Sequence, residues 1–220
     1  MVAASGGGIQ AAAWTAQVLT GLQREVGGEF ARAIRLISAV SGGSVGAMYF
    51  VNEYRDGNPP ADAELPRIMQ RAQESSLDKV AWGVVYPDLL RLITSSGFGW
   101  DRGQALERAW LRRHLAWDNR ANVEVGLSQW QEDAKAGRRP GIILNTTVAE
   151  TGQRLPLATV DLSATLEGEQ TRRWFYQTLG GKDIRVVTAT RLSAAFPYVA
   201  GCTRRSVLAL AACRRRRILR

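Results

Sequence analysis

The residues best suited to chemistry lie in a glycine-rich turn, Gly42-Gly43-Ser44-Val45-Gly46, which fits the pattern G-x-S-x-G. The turn follows a short apolar run rich in β-branched residues, Ile34 to Val40, and precedes an apolar run typical of a helix. A serine on such a strand-to-helix turn is exposed at the end of a sheet, and its small neighbours leave room for a substrate. The pattern predicts that Ser44 is a nucleophile. The alternative is an ordinary glycine-rich loop with a serine at the helix start.

A second glycine-rich turn, Ser5-Gly6-Gly7-Gly8-Ile9, lies between the apolar start of the chain and a predicted helix. Three consecutive glycines leave backbone N–H groups unobstructed, so this loop could hold the negative oxygen of a reacting ester. The alternative is a phosphate loop, because Gly6-x-Gly8-x-x-Ala11 satisfies the loose dinucleotide pattern. The G-K-[ST] of a P-loop does not follow the glycines.

A serine nucleophile needs a base, and the chain has a single histidine, His114. Its neighbours, from Trp110 to Leu115, indicate one face of an amphipathic helix rather than a catalytic site. A Ser-His-Asp triad is therefore not expected, and a carboxylate would have to act as the base. Asp161 and Asp183 are candidates, although each is more typical of a surface turn.

The elements that must position these residues alternate between helix and strand. Helices are predicted at Ile9–Arg24, at Val45–Arg55 and through most of 61–139, and strands at Ile34–Val40, Gly141–Val148, Leu155–Val160 and Val186–Thr188. Strands separated by helices favour an α/β fold with a partly parallel, buried sheet. Residues 1–200 are predicted to form one domain. Within the helical region, Trp82, Tyr86, Phe98 and Trp100 either belong to the core or line an acyl channel.

Composition and charge narrow the class of protein. Hydrophobic residues make up 45% of the chain, enough for a real core. Of the net charge of +9, residues 201–220 supply +7, as seven arginines with no acid, and the first 200 residues carry +2. A specific nucleic-acid partner is therefore not expected. Cys202 and Cys213 do not have the spacing of metal ligands. The sequence shows no signal peptide and no membrane-spanning run, which predicts a cytoplasmic protein or one peripheral at a membrane.

Three motifs taken in order resemble the patatin-like phospholipases: Ser5–Ile9, Ser41–Gly46 and Ser193–Pro197. The resemblance spans roughly residues 2–199. It implies a mostly parallel sheet flanked by helices, with a helical insertion in the middle, and hydrolysis of (phospho)lipid acyl esters by a Ser–Asp dyad without a metal or cofactor. On this resemblance Ser44 is the nucleophile of the motif formed with Gly42, Gly43, Val45 and Gly46, and the oxyanion hole is formed by Gly6, Gly7 and Gly8.

The chain departs from the family pattern at two places. The glycine loop continues with Gln10 and Ala11, where the family usually has a basic residue and a glycine. The family's base is an aspartate in Asp-Gly-Gly or Asp-Gly-Ala after the segment that matches Pro197, whereas the last acid here is Asp183. We therefore expect an incomplete domain, from truncation or a shifted reading frame, and impaired activity. Residues 201–220 are expected to be an unstructured arginine-rich tail, with contact to an anionic surface as the alternative.

Two other functions stay open on the sequence. A catalytically silent lipid-binding or interaction protein on the same fold would keep lipid association without Ser44. A dinucleotide-binding enzyme would be protected from unfolding by NAD or NADP.

Overall fold

The computed structural model describes residues 1–75, 81, 102–115, 125–148, 151–162 and 183–195. Within these ranges one sheet of four strands is flanked by seven helices. The strands are β1 (Val2–Ala4), β2 (Leu36–Val40), β3 (Gly141–Thr147) and β4 (Arg154–Ala158). The helices are α1 (Gly8–Val26), α2 (Gly28–Ala33), α3 (Gly42–Asn52), α4 (Leu65–Gln73), α5 (Arg102–Leu115), α6 (Leu127–Lys135) and α7 (Val186–Ser193).

The sheet has the strand order β1-β2-β3-β4. β1 pairs with β2 and β2 pairs with β3 in parallel, whereas β3 and β4 are antiparallel. The register brings Val40 opposite Asn145, so the carboxyl ends of β2 and β3 lie side by side. Ligands of open α/β sheets bind at this end of the strands, where the turns into the next elements converge.

The sheet holds the centre of the core. Ile37 of β2 and Ile142 and Leu144 of β3 are fully buried, which matches the apolar runs that predicted these strands. α1 packs against α3 and α4, and α7 packs against α3, α5 and β3. The predicted α/β class, with a mostly parallel sheet flanked by helices, is confirmed.

The predicted strand at Val186–Thr188 is wrong, because this segment begins α7. Its β-branched residues favour a strand, but burial decides the outcome, since Val186, Val187 and Ala189 are all buried in the core as a helix. In this segment, strand-like backbone pairing occurs only where the chain enters α7. There the Val186 N–H donates to Val125 O at 3.0 Å, and the Leu127 N–H donates to Ile184 O at 2.7 Å.

The other predicted elements agree with the structure within a few residues. The helix predicted from Val45 begins earlier, at Gly42, and ends at Asn52. α4, α5 and α6 lie in the predicted helical region between α3 and β3. No helix among the described residues is both long enough and apolar enough to cross a membrane. The tail 201–220 lies outside the described residues, and the domain boundary at residue 200 stays a prediction.

Candidate active site

A single residue, Ser41, connects β2 to α3. Its backbone has φ 54° and ψ −126°, and Asp56 is the one other non-glycine residue of the described part with positive φ. Residues other than glycine rarely adopt positive φ, and such a backbone conformation costs on the order of 1–3 kcal/mol. The sharp strand-to-helix turn expected of a nucleophile therefore lies at Ser41. Ser44 lies in the first turn of α3.

Hydrogen bonds on both sides of Ser41 hold this turn. The Ser41 N–H donates to Ser193 Oγ at 3.2 Å, and the Ser41 carbonyl accepts from the Ser44 N–H at 3.0 Å. The Ser41 side chain is partly exposed. A strained backbone persists where several surrounding contacts hold it in place. Such strain is common at functional sites.

Ser44 has a different environment. Its exposed fraction is 0%, and its Oγ lies 2.8 Å from Ser193 Oγ. Ser193 Oγ in turn lies 2.7 Å from the backbone carbonyl of Asn145 on β3. A carbonyl can only accept, so the single hydroxyl proton of Ser193 goes to Asn145 O, and Ser44 donates its proton to Ser193. This chain of hydrogen bonds ends on a carbonyl, which is not a base.

The glycine-rich loop packs directly against the Ser41 turn. A Cβ placed on Gly6 would lie 3.0 Å from Ser41 Cβ and 3.7 Å from Ser41 Oγ. A Cβ on Gly42 would overlap the Gly8 carbonyl oxygen, and one on Gly43 would lie 2.5 Å from Ser5 O. The two glycine-rich motifs thus lie backbone against backbone. The absence of side chains is what permits this contact.

The loop also prepares the start of α1. Gly7 has φ 148° and Gly8 has φ 62°, both in the region that favours glycine. The first N–H groups of a helix have no partner within the helix, and they favour negative charge. α1 and α3 both begin at this place, at Gly8 and Gly42. Gly46, one turn further along α3, lies so close to Ala12 of α1 that a Cβ would overlap the Ala12 carbonyl oxygen.

Among the candidate bases, one binds the beginning of α6, one is exposed, and one lies outside the described side chains. Asp183 accepts from the Ser128 N–H at 3.1 Å and from Ser128 Oγ at 2.5 Å, and so caps the beginning of α6. Asp161 is exposed beyond β4. The side chain of His114 and the aromatic residues Trp82, Tyr86, Phe98 and Trp100 lie outside the described residues. Across the described ranges, no cluster of three or more metal-ligating side chains occurs.

Sequence reasoning singled out Ser44 and passed over Ser41, three residues earlier. The signal was present, because Ala39-Val40-Ser41-Gly42-Gly43 has the spacing of G-x-S-x-G with alanine in the first place. Asn145 lies within β3. Its Nδ2 donates to Ser38 Oγ and to Ala39 O, each at 3.0 Å. Ser193 belongs to the third sequence motif, and no spacing rule connects it to Ser41.

Comparison with protein families supplies a direct assignment. The family model described as patatin-like phospholipase matches residues 2–211, almost the whole chain. The match confirms the resemblance inferred from the three motifs and extends beyond residue 200. Searches of curated proteins and of solved structures found no significant match.

Proposed function

We propose that this chain, which belongs to the patatin-like phospholipase family, is a serine acylhydrolase of lipid esters whose nucleophile is Ser41. Membership of the family supports a lipid acyl hydrolase. The choice of Ser41 rests on one observation: it is the residue with positive φ at the strand-to-helix turn, beside the glycine loop.

Three properties support Ser41 over Ser44. Ser41 is partly exposed, whereas Ser44 is completely buried. The side chain of Ser41 adjoins Gly6, so an ester bound there would have loop N–H groups close to its carbonyl oxygen. The proton of Ser44 is directed through Ser193 to a carbonyl, which cannot take up the proton that an attacking hydroxyl must lose.

In the proposed reaction, Ser41 Oγ attacks the ester carbonyl carbon and forms the acyl-enzyme, while the alcohol leaves with a proton. Water then hydrolyses the acyl-enzyme and regenerates the hydroxyl. The N–H groups of Gly6, Gly7 and Gly8, with that of Gly42, are the proposed donors to the oxyanion. Each such donor lowers the barrier by about 2.7–4 kcal/mol in hydrolases where one has been removed.

The proposed reaction lacks an identified general base. The family resemblance calls for an aspartate after Pro197, and the chain has no acid beyond Asp183, which itself caps α6. Without a carboxylate to take the serine proton, we expect slow acylation and slow turnover. General bases typically contribute about 10²–10⁴-fold in rate.

The test is labelling with a fluorophosphonate probe followed by intact-mass analysis of the wild type, Ser41→Ala and Ser44→Ala. We expect one adduct on the wild type and on Ser44→Ala, and none on Ser41→Ala. Circular dichroism is the control that checks whether each variant is folded. An adduct that is lost only in Ser44→Ala would assign the nucleophile to Ser44, as the sequence predicts.

A folded wild type that forms no adduct would favour the catalytically silent lipid-binding protein. In that case, association with phospholipid vesicles should be the same for the wild type and both serine variants. A rise in the thermal midpoint with NAD or NADP, and none with lipid, would instead support the dinucleotide-binding enzyme.

A further inference from the structure

We propose that Ser193 is a positioning residue for Ser41, and that its hydroxyl holds the strained turn in the conformation from which Ser41 attacks. The inference rests on the proposed role of Ser41 as the nucleophile. Ser193 lies 152 residues from Ser41 in the chain, at the last position of α7.

The Ser193 hydroxyl has three hydrogen-bond partners, and they use its full capacity. It donates to Asn145 O at 2.7 Å and accepts from the Ser41 N–H at 3.2 Å and from the Ser44 hydroxyl at 2.8 Å. A serine hydroxyl offers one proton and two lone pairs, so each has a partner. Ser193 thereby joins β3, the turn and the first turn of α3 at one atom.

The hydrogen bond from the Ser41 N–H to Ser193 stabilises the strained backbone conformation of Ser41. Relaxation of φ from 54° to an ordinary negative value would rotate the Ser41 peptide and turn its N–H away from Ser193. The acceptor at Ser193 therefore favours the strained state over the relaxed one. The Ser44 hydroxyl adds a second tie from α3 to the same oxygen.

Ser193 is itself held in place by two further sets of contacts. Glu107 of α5 is buried and pairs with Arg191 of α7 at 2.6 Å and with Arg185 at 2.6 Å, which fixes the helix that carries Ser193. On the strand side, the amide of Asn145 donates to Ser38 Oγ and Ala39 O, so the acceptor of the Ser193 proton is tied to β2. Hydrogen bonds through Asn145 thus connect Ser193 to the strand that enters the turn.

The structure offers a matched control on the same helix. Thr190 is fully buried, and its Oγ1 has no hydrogen-bond partner in the part of the chain that the structure describes. Thr190→Val removes a buried hydroxyl from α7 without removing a hydrogen bond to the turn. Ser193→Ala removes the acceptor, and Ser193→Thr restores a hydroxyl at the same position.

The experiment measures the fluorophosphonate labelling rate against probe concentration, at a temperature where each variant is folded. We expect Ser193→Ala to lower the maximal labelling rate about 10–100-fold, as expected for a misplaced nucleophile, with the half-saturating concentration unchanged within about twofold. Ser193→Thr should recover most of the rate, and Thr190→Val should match the wild type. Hydrogen exchange of the peptide covering residues 36–50 should increase in Ser193→Ala alone.

A wild-type labelling rate in folded Ser193→Ala would overturn the positioning role while leaving Ser41 as the nucleophile. An equal loss of rate in Thr190→Val would also overturn it, because any change in α7 would then have the same effect. An adduct that survives Ser41→Ala would overturn the proposed nucleophile and this inference together. Should Ser193→Ala fail to fold, Ser193→Cys replaces the hydroxyl with a somewhat larger thiol that is a weak acceptor, and it should show the same selective loss of rate.

Discussion

At the scale of single residues, the site depends on which serine carries the backbone strain. Ser41 has positive φ and partial exposure, whereas Ser44, three residues later, is buried and donates to Ser193. Both serines lie in overlapping glycine-rich patterns, so residue type alone does not distinguish them. The distinction comes from where β2 ends and α3 begins.

The contact between Gly6 and Ser41 leads to a residue-scale prediction. Gly6→Ala would place a Cβ 3.0 Å from Ser41 Cβ, which is tighter than ordinary van der Waals contact. We expect the loop to shift away from Ser41 and the fluorophosphonate labelling rate to fall about tenfold or more, because oxyanion donors act only at close range. The measurement is the labelling rate together with the urea midpoint.

Gly21→Ala is the control for this substitution. Gly21 lies within α1, and a Cβ there would meet nothing within 4 Å. Alanine is favoured over glycine in helices by about 0.5–1 kcal/mol, so this variant should be slightly more stable and label normally. Normal labelling of Gly6→Ala would contradict the assignment of the glycine loop to the oxyanion.

At the scale of elements, a buried ion pair between Glu107 and Arg191 anchors α7, the helix that carries Ser193. Glu107 is 3% exposed and Arg191 is 5% exposed, and their side chains meet at 2.6 Å. Arg185 contributes a second, partly exposed partner to the same carboxylate. The cluster ties α7 to α5, which lies in the helical region between α3 and β3.

Glu107→Gln tests this anchor. The substitution removes the carboxylate that pairs with the buried Arg191 at 2.6 Å, and breaking a buried ion pair costs about 3–5 kcal/mol in free energy of unfolding. We expect a lower urea midpoint with an unchanged slope, and a reduced labelling rate among the molecules that stay folded.

Glu132→Gln, at an exposed position of α6, is the matched control and should change stability by less than about 0.5 kcal/mol. Equal stability of Glu107→Gln and Glu132→Gln would show that the anchor is unimportant.

At the scale of the whole molecule, charge is distributed unevenly along the chain. Residues 201–220 carry +7 and the preceding 200 residues carry +2. A cluster of arginines is attracted to an anionic membrane surface by about 1 kcal/mol for each residue close to it. We propose residues 201–220 as the segment that would contact an anionic membrane, because most of the net charge lies there.

Replacement of Arg214, Arg215, Arg216 and Arg217 by glutamine tests that contact. We expect weaker sedimentation with vesicles that contain anionic lipid, no change with zwitterionic vesicles, and an unchanged fluorophosphonate labelling rate. Added salt should weaken the wild-type interaction, because screening acts over about 8–10 Å at moderate ionic strength. Binding that neither salt nor the substitutions change would assign membrane contact to another surface.

The sequence by itself determined the fold class, most element positions and the two glycine-rich motifs. Periodicity and apolar runs report burial locally, and Leu36–Val40 and Gly141–Thr147 are strands for that reason. Local propensity failed at Val186–Ser193, where packing against α3, α5 and β3 selects a helix for β-branched residues.

Only the tertiary structure distinguishes the two serines, because it places Ser41 at the turn with positive φ and buries Ser44 completely. The hydroxyl that holds Ser41 comes from Ser193, 152 residues away, and its own partner is a backbone carbonyl on a third element. No spacing in the sequence encodes such a contact, because it depends on how parallel strands align and on how a distant helix packs beside them. Sequence patterns specify local conformation, whereas the meeting of distant polar groups is a property of the packed core.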